Sequence, residues 1–259
     1  MECKNCNDNL RTDYSFCPSC GAKVIRNRLT VRNLWHDIFE RYFNLDNTFI
    51  NTFLHLFTKP EVVIDGYISG IRRKYLNPTS YLAIAITLSG FLVFLLTKNI
   101  DQIDMDVFNN GVNATQGSKK IMDFTMDYQA LLFILYIPMM AIAGWLVFEN
   151  KKYNFAERSV VFMYTLAHYS IFTFLPSVIL ISIIPGEYMS ASLIVLAAMY
   201  LYCAYVIKRI TKLKGLDYIA RVILFFILFT VQYFALIFLI PIILILTGSI
   251  SLKDFAPVK

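Results

Sequence analysis

Charge is scarce in this chain. Asp, Glu, Lys and Arg together make up 16% of its 259 residues, where soluble domains carry about a quarter. Five stretches hold no charged residue at all: 81–97, 128–148, 159–184, 190–207 and 222–247. That pattern excludes an ordinary water-soluble domain. Histidine is nearly absent too. His36, His55 and His168 are the only three, and their spacing excludes a His-Glu-x-x-His zinc helix. There is no Gly-x-Ser-x-Gly elbow and no glycine-rich phosphate loop ending in Lys-Ser/Thr. No pair of carboxylates sits in an apolar run, so buried acid–base chemistry has no obvious carrier. With these templates gone, the chain reads as non-enzymatic.

What is abundant is apolar surface. Hydrophobic residues reach 57%. A helix needs about 20 apolar residues to cross the hydrocarbon core of a bilayer, and each of the five runs meets or approaches that length. The fold expected is an all-α polytopic membrane bundle of five transmembrane helices over residues 78–259. Pro176 and Pro241 fall near the second ends of the third and fifth runs, where a kink is expected.

Lys and Arg fix the expected orientation. Residues 1–77 carry eleven, 149–158 three and 208–221 five; 98–127 carry three, 185–189 none and the tail from Gly248 two. Nineteen against five predicts a cytoplasmic N-terminus and, after five spans, a C-terminus outside. Tyr200, Tyr202 and Tyr205 then fall where an inner aromatic belt belongs. In the longest outer loop, Asn113-Ala114-Thr115 matches a glycosylation sequon of the kind that arises often by chance.

Ahead of the spans the composition changes. Residues 1–33 are polar and lack a basic, apolar and small-residue signal pattern, so their cysteines are expected in a reducing compartment. Cys3-x-x-Cys6 and Cys17-x-x-Cys20 flank ten residues, the pattern of two knuckles closing one tetrahedral zinc site. Gly21 allows the tight turn after the second pair. Residues 1–24 therefore read as a zinc ribbon with structural Zn2+, since four thiolates leave no open position for catalysis. The segment is too short to bury a core without metal. Cys203 stands alone in an apolar run and reads as a packing residue.

Residues 25–33 form a basic linker with Arg26, Arg28 and Arg32. Residues 34–77 follow as an amphipathic, interfacial helical segment and a basic junction. Leu34, Ile38 and Tyr42, then Phe49, Phe53, Leu56 and Phe57, recur at helical spacing, and Pro60 ends the run. Arg72, Arg73 and Lys74 then form a juxtamembrane cluster. It can hold the topology or attract anionic lipid headgroups, and Gly66 and Gly70 flank it. Within the spans, His168 is the lone histidine, with Tyr164 and Gln232 as candidate hydrogen-bond partners.

The order and spacing of these features resemble a bacterial membrane family, DUF3667. The resemblance rests on the two cysteine pairs, on Asn44-Leu45-Asp46 through Thr52, on Phe57-Thr58-Lys59-Pro60, and on Gly66 through Tyr75 ending at Pro78. It implies a zinc ribbon joined to a helical domain in the bacterial inner membrane, and no activity. The five-span count is also similar to that of Yip-type trafficking proteins, on topology alone.

Two functions follow as expectations. In the first, the basic N-terminal module (Lys4, Arg11, Lys23, Arg26, Arg28) and the amphipathic segment dock a protein partner while the bundle anchors the assembly in membrane lipid. Nucleic acid is disfavoured, because no aromatic-interleaved platform accompanies the charge. The alternative is a lipid-handling or small-solute transport protein acting as an oligomer. The lack of charged residues in the spans weighs against ion coupling.

Overall fold

The computed structural model describes residues 2, 3, 5–21, 24, 45–103, 116–148, 152–211, 213–251 and 254. The linker 25–33, Leu34, Ile38 and Tyr42, Lys4 and Lys23, and the sequon at Asn113 lie outside the described residues. The chain divides into two compact units, Met1–Asp46 and Asn47–Lys259.

The first unit holds a small knuckle with its own core of Cys3, Leu10 and Cys17, against which Tyr14 and Val24 pack. An isolated bridge joins Glu2 to Asn9, and the Val24 amide donates to the Ser15 carbonyl at 2.9 Å.

The second unit is helical. In chain order it contains α1 (Leu45–Thr58), α2 (Pro60–Ile68), α3 (Pro78–Lys98), α4 (Gln116–Asp127), α5 (Gln129–Val147), α6 (Phe155–Ile183), α7 (Tyr188–Thr211) and α8 (Gly215–Leu246). Helices α3, α5, α6, α7 and α8 are each long and apolar enough to cross a membrane. They coincide with the five apolar runs, and all but α5 start ahead of them. Polar ends lengthen a helix where a cap satisfies its first amides. Asn77 accepts from the Ser80 amide at 2.7 Å, with Pro78 at the first helical position. Asn154 and Glu157 form a capping box, and that starts α6 four residues before the apolar run at 159.

One expectation changes, and one question that the sequence leaves open, whether the amphipathic segment lies on lipid or packs under the bundle, is answered for α1. The long loop after α3 contains an amphipathic helix, α4. Its charged residues hide it from an apolar-run reading, although Phe124 stacks on Tyr128 with ring centroids 4.5 Å apart. The amphipathic segment, over its described part, is not merely laid at an interface. Helix α1 buries Thr52 and Leu56 completely in the bundle core.

Helices α3 and α6 form the central pair, running parallel. Tyr81 meets His168, Ser89 meets Ser170 with hydroxyls 2.8 Å apart, and Phe91 meets Phe174. Helix α5 closes on α6 at Gly144, where an added Cβ would sit 3.1 Å from the Phe162 ring. Phe162 in turn stacks on Phe225 of α8, centroids 5.5 Å apart.

Candidate metal centre and a caged histidine

The knuckle is built from two matching turns. The Asn7 amide donates to the Cys3 carbonyl at 2.8 Å, and the Gly21 amide to the Cys17 carbonyl at 2.9 Å. Both turn residues are left-handed, with φ of 59° at Asn7 and 70° at Gly21. Glycine and asparagine are the two residues that tolerate this region most readily. The glycine is an evident sequence signal. The asparagine after the first pair plays the same role and escapes a search for glycine.

These turns bring the sulfurs of Cys3, Cys6, Cys17 and Cys20 within 4.8 Å of one another. Cys3 and Cys20 are 3.7 Å apart, and Cys6 and Cys17 are 3.6 Å apart. A tetrahedral site with Zn–S bonds of ~2.3 Å needs sulfurs about 3.8 Å apart, so the residues fit a metal ion. Cys3 and Cys17 are buried; Cys6 and Cys20 face outward. The Asp8 amide lowers the pKa of the Cys6 thiol. The Cys20 thiol, desolvation and the other two thiols outweigh it and push the value up to about 12. The Cys6 thiol therefore holds its proton until a cation displaces it. Asp8 also receives the Ser19 hydroxyl, which ties the two turns together.

In the membrane unit, His168 is fully buried and Nδ1 lies 2.8 Å from the Tyr81 hydroxyl. Four rings enclose it: Phe57 at 4.3 Å, Phe53 at 4.9 Å, Tyr202 at 5.2 Å and Tyr81 at 6.2 Å between centroids. Among the described residues, Nε2 has no hydrogen-bond partner. The tautomer with its proton on Nε2 suits this surrounding: Nδ1 accepts from Tyr81, and the Nε2–H meets aromatic rings instead of an acceptor. The structure thus pairs His168 with Tyr81, not with Tyr164 or Gln232. Tyr164 donates instead to the Leu76 carbonyl at 2.7 Å, and Gln232 is half-buried on α8. The partner is 87 residues away in sequence, so no local spacing announces it. Tyr81 is the fourth residue of α3, so the pair joins the first turn of α3 to the middle of α6.

Around this cage, α1 is pinned along its second half. Thr52 Oγ1 accepts from the Leu76 amide at 2.8 Å, and His55 Nδ1 lies 2.8 Å from the Tyr75 hydroxyl. At its C-terminus, Tyr202 donates to the Leu56 carbonyl at 3.2 Å and Tyr205 to the Thr58 carbonyl at 3.1 Å. Arg209 donates to Thr58 as well and forms a two-pronged pair with Glu61 at 2.6 and 2.9 Å. Two of the three tyrosines read as an aromatic belt, Tyr202 and Tyr205, therefore cap a helix end whose carbonyls lack intrahelical partners. Cys203 is buried among packing residues, as its isolation in sequence suggests.

Arg72, Arg73 and Lys74 are all exposed. Arg72 lies 5.6 Å from the Tyr67 ring centre and Lys74 5.5 Å from that of Tyr75. Gly70 has φ of 100°, and its role is to end α2. The Ile71 amide bonds the Gly66 carbonyl and the Gly70 amide the Tyr67 carbonyl, which is a Schellman cap.

Together these features define a multi-pass helical membrane protein that carries a four-cysteine, metal-capable knuckle near its N-terminus. The family model described as "Protein of unknown function (DUF3667)" matches residues 46–90. The sequence resemblance to that family is thus borne out in this stretch. It spans α1, α2, the basic junction and most of α3, and includes Phe53, Phe57 and Tyr81, three of the four rings around His168. No curated protein and no solved structure matches the chain.

Proposed function

We propose that this protein is a membrane-anchored docking protein. Its zinc-loaded knuckle lies on the cytoplasmic side of a bacterial inner membrane and binds a protein partner, and the five-helix bundle anchors it without catalysing a reaction. The observation that carries this reading is the exposed ring of Phe16, 53% accessible, immediately before the buried Cys17 of the four-sulfur site. A metal held by four thiolates is closed to substrate, so its contribution is rigidity. A rigid exposed aromatic is the kind of side chain that anchors an interface. The cytoplasmic placement rests on the lysine and arginine count.

The test separates metal from contact. Crosslinked affinity purification from native membranes compares the intact protein, Phe16→Ala, and Cys17→Ser with Cys20→Ser. A protein recovered with the intact chain and lost from both variants, while Phe16→Ala still binds one zinc, supports docking. Recovery that does not change in either variant overturns it.

A further inference from the structure

Only one carboxamide lies deep in the apolar runs. Gln129 opens α5, whereas Gln232 is the eighteenth of the 32 residues of α8. It stands eleven residues beyond Arg221, which is about 16 Å at the rise of an α-helix. The hydrocarbon core is about 30 Å thick, so this amide sits near its centre, too deep for the side chain to reach either surface.

Among the described residues, Gln232 makes no side-chain hydrogen bond. Tyr136 of α5 and Tyr233, its neighbours at that depth, meet each other ring to ring with centroids 5.9 Å apart. Other polar side chains of α8 are satisfied within the chain. Thr230 pairs with Tyr200 of α7 at 3.4 Å, and Tyr218 donates to the Ala204 carbonyl at 3.0 Å. The hydrocarbon core holds no water and acyl chains offer neither donor nor acceptor, so an open amide there calls for a protein partner.

The surface around the amide is patterned for a helix. Leu228, Gln232, Ala235, Leu239, Ile242 and Leu246 follow one another at alternating spacings of four and three, which are the a and d positions of a heptad seam. The seam turns away from the core, which α8 meets instead through Val222, Phe225 and Phe229. Leu239, Ile242 and Leu246 are about half exposed or more, Ala235 is exposed and Gln232 is half-buried. Ala235, one turn from Gln232, lets a second backbone approach closely.

The occupant follows from the amide itself. A carboxamide carries both donor and acceptor, so it is complementary to its own copy across a twofold axis. Copies inserted in the same orientation share an axis along the membrane normal, which sets equal depths opposite each other. We propose that two copies of this chain pair through α8, with the helices parallel and Gln232 joined to its counterpart by two reciprocal amide hydrogen bonds. A single polar residue at an a position fixes register and strand number in coiled coils, and Gln232 does so here. The pairing is independent of the docking reading, which stands if the pairing fails.

Full-length protein fused at its C-terminus to a donor or an acceptor fluorophore is reconstituted in phosphatidylcholine liposomes at increasing dilution in lipid. Energy transfer reads the dissociation constant. An interhelical hydrogen bond in a membrane is worth about threefold in affinity, so Gln232→Leu, which loses two, is expected to weaken pairing about tenfold. Gln232→Asn keeps a carboxamide and is expected to pair more tightly than the leucine variant. Ala235→Trp blocks close approach without touching the amide. It is expected to abolish pairing and covers the case in which Gln232→Leu fails to fold. Ile227→Trp, at an exposed position of α8 off the seam, is expected to change nothing. Energy transfer unaltered in Gln232→Leu or in Ala235→Trp overturns the proposal, as does an equal loss in Ile227→Trp. Absence of energy transfer between native copies at every dilution also overturns it and leaves the amide to a different membrane protein.

Discussion

A buried imidazole with one hydrogen bond makes a sharp test of what the bundle tolerates. His168→Phe keeps an aromatic ring among Phe53, Phe57 and Tyr202 but strands the Tyr81 hydroxyl, which has no exposed surface to fall back on. An orphaned buried hydroxyl costs about 1–3 kcal/mol, whereas removing both partners is nearly neutral. Hydrogen bonds inside membrane bundles average only about 0.6 kcal/mol, so the coupling sits at the low end. Thermal unfolding in detergent is expected to show His168→Phe destabilised and Tyr81→Phe mildly so, with the double variant less destabilised than the sum of the two. Strict additivity would show that the pair does not interact. At the knuckle, the thiols give a prediction with a sign. The Cys6 thiol, whose pKa is pushed up to about 12, must release its proton to metal. Zinc affinity is therefore expected to fall as pH drops from 8 to 6, with protons released on binding, and Cys17→Ser is expected to lose most of the affinity at any pH. Competition against a chromophoric chelator reads both. The four ligands were legible in sequence because each pair is local and its spacing carries the geometry. The Tyr81–His168 pair was not, because only the parallel register of α3 on α6 creates it.

At the scale of elements, close approach matters more than composition. Gly144 lets α5 rest on the Phe162 ring, and its carbonyl takes the Arg158 guanidinium. Gly144→Val pushes two extra methyl groups into a contact already at 3.1 Å for the first carbon. Overpacking of this kind costs about 1–3 kcal/mol. A lowered unfolding temperature is expected for Val and a smaller decrease for Ala; an unchanged Val variant would mean that the helices separate there without cost. The five spans were legible because lipid demands long uncharged runs. Their ends were less so, since Asn77 and Asn154 start helices earlier than hydropathy does. Helix α4 was missed because its length is mostly polar. The most instructive case is α1. Its periodicity announced an amphipathic helix but left open whether it lies on lipid or packs under the bundle, because part of what takes up its buried face comes from α6 and α7, more than a hundred positions later. No local pattern distinguishes a helix that floats on lipid from one whose C-terminal carbonyls are claimed by Tyr202, Tyr205 and Arg209.

For the membrane domain as a whole, the polar contacts sort into two ends. Asp65 with Lys152, and Glu61 with Arg209, link α2 to the 152–153 segment and to the last turn of α7. Lys120 of α4 reaches Asp254 in the tail at 2.9 Å, joining the segment after α3 to the segment after α8. Both sets of pairs are what an odd number of crossings produces: the α3–α5 connection and the C-terminal tail share one end, and the α5–α6 and α7–α8 connections share the other. In sequence, residues 1–77, 149–158 and 208–221 carry nineteen lysines and arginines, against five in 98–127, 185–189 and the tail from Gly248. The side rich in positive charge is expected to be cytoplasmic. Single cysteines placed in a background with all five native cysteines replaced by alanine test this in intact cells with a membrane-impermeant maleimide. Ser251→Cys is expected to label from outside, and Ser69→Cys only after the membrane is opened. Labelling of both from outside would break the five-span arrangement. The reverse pattern would keep the arrangement but invert it. That would put the knuckle outside and remove the reducing compartment on which its metal-loaded state depends.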